Sequence, residues 1–129
     1  MTSRFTELVI DCREPRKLAE FWCAILDYQI IEESDNYVEI AASEPTAEGV
    51  RAAPIPPVLL FLIVPEGKTV KNRMHIDLNP SGADQAQELE RLLALGAKRV
   101  DVGQPDDAPW IVLADPEGNE FCLLGRRVD

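Results

Sequence analysis

The first half of the chain changes its hydrophobic period several times. Residues 4–12 alternate between apolar and polar side chains, which is typical of a strand with one buried face. Apolar residues then recur at helical spacing over 15–27, after a proline suited to the first turn. Three β-rich segments follow, at 28–33, 37–41 and 58–64, and the last is continuously apolar, which predicts a strand buried on both sides. Residues 43–57 hold four prolines and one glycine, which predicts a long loop, either a pocket cover or an ordinary surface excursion.

The same order of elements then repeats. Residues 74–78 alternate, with Met74 and Ile76 expected on the helix side and His75 opposite. Capping residues at 81–84 and Gly96 bracket a helical stripe, and strands follow at 98–102, 110–114 and 120–124. An offset of about 68 residues pairs Glu7 with His75. A repeat of this kind decides the fold.

The repeat predicts an α+β chain of two βαβββ halves. A ferredoxin-like βαββαβ domain is the competing fold, but it needs only two strands between its helices, fewer than the pattern contains. The 129 residues suit a single domain, 1–129, with halves of about 1–66 and 67–129.

Charge excludes some classes of partner, and cysteine usage indicates the cellular compartment. The net charge of −10 argues against a nucleic acid or an anionic membrane surface as partner, because both select a basic patch. No apolar run approaches the ~20 residues of a membrane helix, and the start lacks the layout of a signal peptide. Three cysteines without close metal-ligand spacing fit the reducing cytoplasm.

Three strings of residues resemble a known family. They are Pro15 with Leu18-Ala19-Glu20-Phe21-Trp22, the segment 64–78, and the segment 110–122 with its Asp115-Pro116-Glu117-Gly118-Asn119 turn. Together, and in this order, they resemble the vicinal-oxygen-chelate superfamily, in particular its glyoxalase-like group. The superfamily also includes bleomycin-resistance proteins and extradiol dioxygenases. The resemblance implies two βαβββ modules that form a curved mixed sheet around a pocket.

The resemblance also implies a place for a divalent metal. Metal-dependent members of the superfamily take ligands from the first and last strands of each half, which maps onto Glu7, His75 and Cys122 here. Glu7 and His75 are then the candidate catalytic residues, and Cys122 would favour zinc. The segment 58–64 offers no ligand side chain, so the expected cofactor is either none or a divalent metal. The alternatives are a hydrogen-bonded structural histidine, a salt-bridged Glu7 and a Cys122 that is a small buried hydrophobe.

Five further residues are candidates for the ligand pocket. Aromatic side chains over a cavity suit a planar or apolar ligand, and Asp77 shares the predicted face of His75. Arg73 could clamp a carboxylate or phosphate. The alternatives are core packing for the aromatic residues and a solvated loop for Arg73. The pocket candidates are Trp22, Phe61, Arg73, Asp77 and Trp110.

Two functions remain open at this point. The missing ligands favour a protein that binds a small molecule without chemistry, as bleomycin-resistance-like members do. The presence of His75 and Glu7 favours a metal-dependent lyase, isomerase or dioxygenase acting on a small oxygenated substrate. The resemblance implies a homodimer in either case.

Overall fold

The computed structural model describes residues 2–52 and 56–129, which form two compact units, residues 1–67 and 68–129. The first unit contains β1 (Glu7–Cys12), α1 (Pro15–Leu26), β2 (Gln29–Glu33), β3 (Tyr37–Ala41), α2 (Ala47–Ala52) and β4 (Val58–Ile63). The second contains β5 (Ile76–Leu78), α3 (Gln85–Ala94), β6 (Lys98–Arg99), β7 (Ile111–Ala114) and β8 (Glu120–Leu123). The predicted α+β class and tandem βαβββ order are confirmed, with one four-stranded sheet in each unit.

The two sheets have the same topology. In the first unit the strand order is β1-β4-β3-β2, with β1 parallel to β4 and the other pairs antiparallel. In the second unit the order is β5-β8-β7-β6, with β5 parallel to β8 and the other pairs antiparallel. The weak sequence repeat therefore reflects a repeated fold.

Helix α1 covers one face of the first sheet. It packs against β2, β3 and β4, and its apolar side is buried. Phe21 and Trp22 contact each other edge to face, with ring centroids 5.5 Å apart. The predicted burial of the segment 58–64 on both sides is wrong at its end, because Ile63 is 44% exposed. The core residues of this unit are Leu18, Ala19, Phe21, Trp22, Ile25, Val38, Ile40, Leu59 and Phe61.

The expected loop at 43–57 contains a short helix, so the prediction of wholly irregular structure is wrong. Helix α2 begins after Thr46, whose hydroxyl accepts a hydrogen bond from Gly49 N at 3.0 Å, as a helix N-cap does. The prolines at 45, 56 and 57 flank this helix rather than interrupt it. Residues 53–55, including Pro54, lie outside the described residues.

Capping fixes the start and the end of α3. The Asp84 carboxylate accepts from Gln87 N at 2.9 Å, and the Gln87 side chain accepts from Asp84 N at 3.1 Å, which forms a capping box. Gly96 follows the helix with a φ of 113°, a conformation that costs glycine little. Both signals were visible in the sequence. No helix in the described part of the chain is long and apolar enough to cross a bilayer.

Two strands of the second unit are shorter than predicted. Strand β5 begins at Ile76, and Met74 is 79% exposed, so its expected place on the helix side is wrong. The preceding segment is held at Glu120 by hydrogen bonds from Lys68 and Asn72. Strand β6 ends at Arg99 because the chain then turns through Gly103, whose φ is 92°.

Candidate metal and ligand site

Three potential metal ligands meet on the second sheet. Asp77 on β5 is paired with Cys122 on β8, and His75 lies two residues before Asp77. His75 Nε2 lies 3.1 Å from Asp77 Oδ1, and the donor atoms of all three residues lie within 4.8 Å of one another. Cys122 is buried, whereas the side chains of His75 and Asp77 are 42% and 49% exposed. The cluster therefore has a buried thiol at its base and two accessible donors above it.

The electrostatics of the cluster keep the thiol protonated. Burial raises the pKa of Cys122, and the neighbouring Asp77 carboxylate raises it further by charge and by a hydrogen bond. The charge of Lys71 lowers the pKa of the thiol, but by less than burial and Asp77 raise it. Without an additional cation, Cys122 is thus a neutral thiol and not a nucleophile.

The donor set fits a divalent cation of the zinc type. Imidazole nitrogen, carboxylate oxygen and thiolate sulfur are the three ligand classes that zinc uses in proteins. The thiolate makes the set unsuited to magnesium or calcium, which take oxygen ligands. Three protein ligands would leave a position for a ligand oxygen, as in zinc sites that bind substrate. A cation here would also offset the charge of Asp77 that raises the thiol pKa.

A partly buried ion pair holds the strand that carries Cys122 to the segment before β5. Glu120 accepts from Lys68 Nζ at 2.8 Å and from Asn72 N at 3.1 Å. The two ionic side chains are only 20% and 11% exposed. Burial opposes ionisation of Glu120, but these hydrogen bonds outweigh it and lower the pKa of the carboxyl. Glu120 is therefore engaged in holding residues 68–72 and is not an additional donor to the cluster.

The turn between β7 and β8 sets the register of that strand. The buried Asp115 accepts from Glu117 N and from Asn119 N at 2.9 Å each, and from Asn119 Nδ2 at 3.1 Å. Asn119 in turn accepts from Asn72 Nδ2 at 2.9 Å. This network explains why the Asp115–Asn119 motif precedes the last strand.

The first sheet carries its own polar cluster, on the face opposite α1. Burial and a hydrogen bond to Glu7 raise the pKa of Glu39 to about 7. Glu32 lies across from Glu39 on β2 and accepts from the Tyr37 hydroxyl at 2.8 Å. Glu7 is thus placed beside a carboxyl group that holds a proton near neutral pH. Its predicted partnership with His75 and Cys122 stays a prediction.

The candidate aromatic residues differ in accessibility. Trp22 and Phe61 are 1% and 0% exposed and belong to the core of the first unit. Trp110 is 37% exposed and directly precedes β7. Arg73 is exposed, two residues before His75. Their predicted roles as pocket residues stay predictions, and of the two tryptophans only Trp110 offers accessible ring surface.

Sequence reasoning found two members of the cluster as metal ligands and assigned the third differently. Asp77 was predicted to lie on the face of His75, but as a pocket residue and not as a metal ligand. Alternation along a strand puts residues i and i+2 side by side, and this could have suggested Asp77 as a second ligand next to His75. The pairing of Asp77 with Cys122 depends on strand register, which was not visible in the pattern. The ion pair of Lys68 with Glu120 was missed because its members are 52 residues apart.

The glyoxalase-like domain family matches this chain over residues 7–124, so the chain belongs to that family. No curated protein matches it. Fosfomycin resistance protein FosX from Mesorhizobium loti is 15% identical, with a TM-score of 0.67 over 98% of this chain and 95% of that chain. A mutant FosX from Listeria monocytogenes, in complex with Mn(II) and dihydroxypropylphosphonic acid, is 13% identical, with a TM-score of 0.66 over 96% and 90%.

A further solved structure has the same fold. A glyoxalase/bleomycin resistance protein/dioxygenase family enzyme from Burkholderia phytofirmans is 17% identical, with a TM-score of 0.62 over 94% of this chain and 97% of that chain. At these identities the likeness establishes the fold, and the chemistry has to be argued from the residues of this chain.

Proposed function

We propose that this chain is a small-molecule-binding protein of the glyoxalase-like family, and that its ligand is held at the cluster of His75, Asp77 and Cys122 through a divalent cation of the zinc type. The observation that carries the proposal is the convergence of the three donor atoms within 4.8 Å. Two of the donors are accessible to solvent, so a bound molecule can reach the same point.

The residues of the cluster have distinct roles in this proposal. Cys122 would hold the cation from the buried base, Asp77 would supply a carboxylate oxygen, and His75 would supply the accessible nitrogen donor. When bound, the cation would supply positive charge that polarises an oxygen of the ligand. Cation binding removes the thiol proton of Cys122, so affinity for the metal is expected to rise with pH.

A metal-dependent enzyme is the second candidate. The lyase, isomerase or dioxygenase chemistry expected from the family needs a group that exchanges protons beside the cation. In this candidate the accessible His75 would be the proton-exchanging group and not a ligand, with the Asp77 carboxylate 3.1 Å away to orient its ring. The FosX structure with Mn(II) and a phosphonic acid supports the view that this fold accommodates a metal beside an oxygenated ligand. His75→Gln separates the two candidates: loss of the metal is expected if His75 is a ligand, whereas a variant that keeps the metal but loses turnover would favour the enzyme.

The proposal also includes the cellular compartment and the oligomeric state. The three cysteines are free thiols in the described structure, which supports residence in the reducing cytoplasm. A homodimer is expected from the family resemblance. Analytical ultracentrifugation at micromolar concentration tests it, and a monomer mass at all concentrations would contradict it.

Elemental analysis of untagged protein tests the cation centre. About one zinc per chain is expected after loading and dialysis, with loss of the metal in Cys122→Ala and in His75→Ala. The matched control is Cys23→Ala, which removes a half-buried thiol on α1 and should keep the metal. Metal retained in both cluster variants, or absent from the parent protein, would refute the proposal.

A further inference from the structure

A cavity separate from the metal cluster lies in the second unit, around the loop between β6 and β7. It encloses about 390 Å³ and its walls come from residues 99–101, 104–106, 108 and 110–112. Cavities of roughly 300–1,000 Å³ are typical of small-molecule sites. The volume is therefore large enough for a ligand the size of an amino acid.

The loop that forms these walls is held by its own side chains. Gln104 accepts from Val102 N at 2.8 Å and donates to Val100 O at 3.2 Å. Asp101 accepts from Gly103 N at 2.8 Å through one carboxylate oxygen. The conformation is thus fixed before a ligand arrives, which lowers the entropic cost of binding.

One wall presents an accessible aromatic ring on a fixed backbone. Trp110 is 37% exposed, and its neighbour Pro109 accepts a hydrogen bond from Gln85 Nε2 at 2.9 Å. The residue that follows, Ile111, is paired with Leu123 in the sheet. An indole ring in this setting can stack on a flat apolar group or attract a cation over its face.

The remaining walls carry opposite charges that are not paired with each other. In the part of the chain that the structure describes, the side chains of Arg99 and Asp106 take part in no hydrogen bond or ion pair. Asp101 adds a second carboxylate beside them. A ligand with a single charge meets both attraction and repulsion here, whereas a ligand with both charges can satisfy each wall.

We propose that this cavity binds a small zwitterion with a flat apolar body, its ammonium group facing Asp101 and Asp106, its carboxylate facing Arg99, and its body on the Trp110 ring. The proposal goes beyond the cation centre and does not depend on it, because neither the walls nor the charges of this cavity include the metal donors.

Tryptophan fluorescence reports on this cavity directly. The chain has two tryptophans, and Trp22 is 1% exposed, so a change on ligand binding is expected to come from Trp110. The probes are L-phenylalanine, L-phenylalaninamide, which keeps only the ammonium charge, and N-acetyl-L-phenylalanine, which keeps only the carboxylate. All titrations contain a chelator, so that failure of the cation centre does not affect the result.

The zwitterion is expected to bind about fivefold more tightly than either singly charged probe, since an exposed charge pair contributes up to about that factor. Arg99→Gln should remove the higher affinity of the zwitterion relative to the amide. Asp106→Asn should remove its higher affinity relative to the acetylated probe. Lys98→Gln, a neighbouring cation outside the walls, should change neither. Equal affinities for the three probes, no saturable change with any of them, or an equal effect of the Lys98 variant would overturn the proposal.

Discussion

Asp115 is expected to fix the position of the strand that carries Cys122, a residue of the proposed cation centre. Its buried carboxylate accepts three hydrogen bonds, two from backbone N–H groups and one from the Asn119 amide. These bonds hold the turn that delivers β8, and with it Cys122, to its place beside β5. We predict that Asp115→Ala destabilises the protein far more than an average substitution.

The magnitude follows from the number and kind of bonds. Hydrogen bonds to a charged group contribute about 1.5–3 kcal/mol each, and partial access of water to the turn recovers some of the loss. A net loss of about 3 kcal/mol in the free energy of unfolding is therefore expected, with a decrease in Tm of roughly 10 °C. Asp115→Asn keeps an acceptor for the two backbone groups but sets its amide against that of Asn119, so about half of the loss is expected.

Urea denaturation followed by circular dichroism measures both variants. The control is Asp35→Ala, which changes an exposed aspartate in the turn between β2 and β3 and should cost at most about 0.5 kcal/mol. A loss below about 1 kcal/mol for Asp115→Ala, or equal effects of the alanine and asparagine variants, would refute the reasoning.

Three further predictions concern Glu39, Asp84 and Gly96. Burial and Glu7 raise the pKa of Glu39 from 4.5 to about 7, so its ionisation opposes folding; stability should increase as pH falls from about 7 to 4.5, and Glu39→Gln should flatten that dependence in urea titrations at several pH values. Because Glu39 is half-buried, we expect the free energy of unfolding to change by about 1–2 kcal/mol over this pH range. An unchanged pH profile in the variant would contradict this. Asp84→Ala removes the capping box of α3 and should lower the free energy of unfolding by about 1 kcal/mol, measured by thermal melting. The control is Asp106→Ala. Asp27→Ala is not a valid control, because the φ of Asp27 is 56°. Gly96→Ala forces a side chain into a φ of 113° and should cost about 1 kcal/mol or more, and a neutral result would show that the helix end relaxes.

Much of the fold could be predicted from periodicity and local signals. The helix starting at Pro15, the capping box at Asp84 and the glycine after α3 are signals within a few residues of one another. The helix at Ala47–Ala52 could not be predicted in the same way. The surrounding prolines indicate a loop, and the capping threonine is the only local signal for a helix start. Local sequence therefore predicts helix ends where capping residues mark them, and it missed a short helix flanked by prolines.

The cluster of His75, Asp77 and Cys122 was predictable only in part. His75 and Cys122 followed from the resemblance, whereas the part played by Asp77 depends on the pairing of two strands that are 45 residues apart in sequence, which no local pattern encodes. The ion pair of Lys68 with Glu120, in the segment before the late start of β5 at Ile76, likewise joins residues that are far apart in sequence. Long-range pairing is the information that periodicity lacks.

Cobalt titration tests whether Cys122 binds a metal at the proposed cation centre. Co(II) replaces zinc in tetrahedral sites and develops a thiolate-to-metal charge-transfer band only when a cysteine sulfur is bound. The cluster of His75, Asp77 and Cys122 predicts a band that saturates at one Co(II) per chain, is displaced by zinc, is lost in Cys122→Ala and persists in Cys23→Ala. A band that survives in Cys122→Ala, or no charge-transfer absorption in the parent protein, would contradict the cation centre.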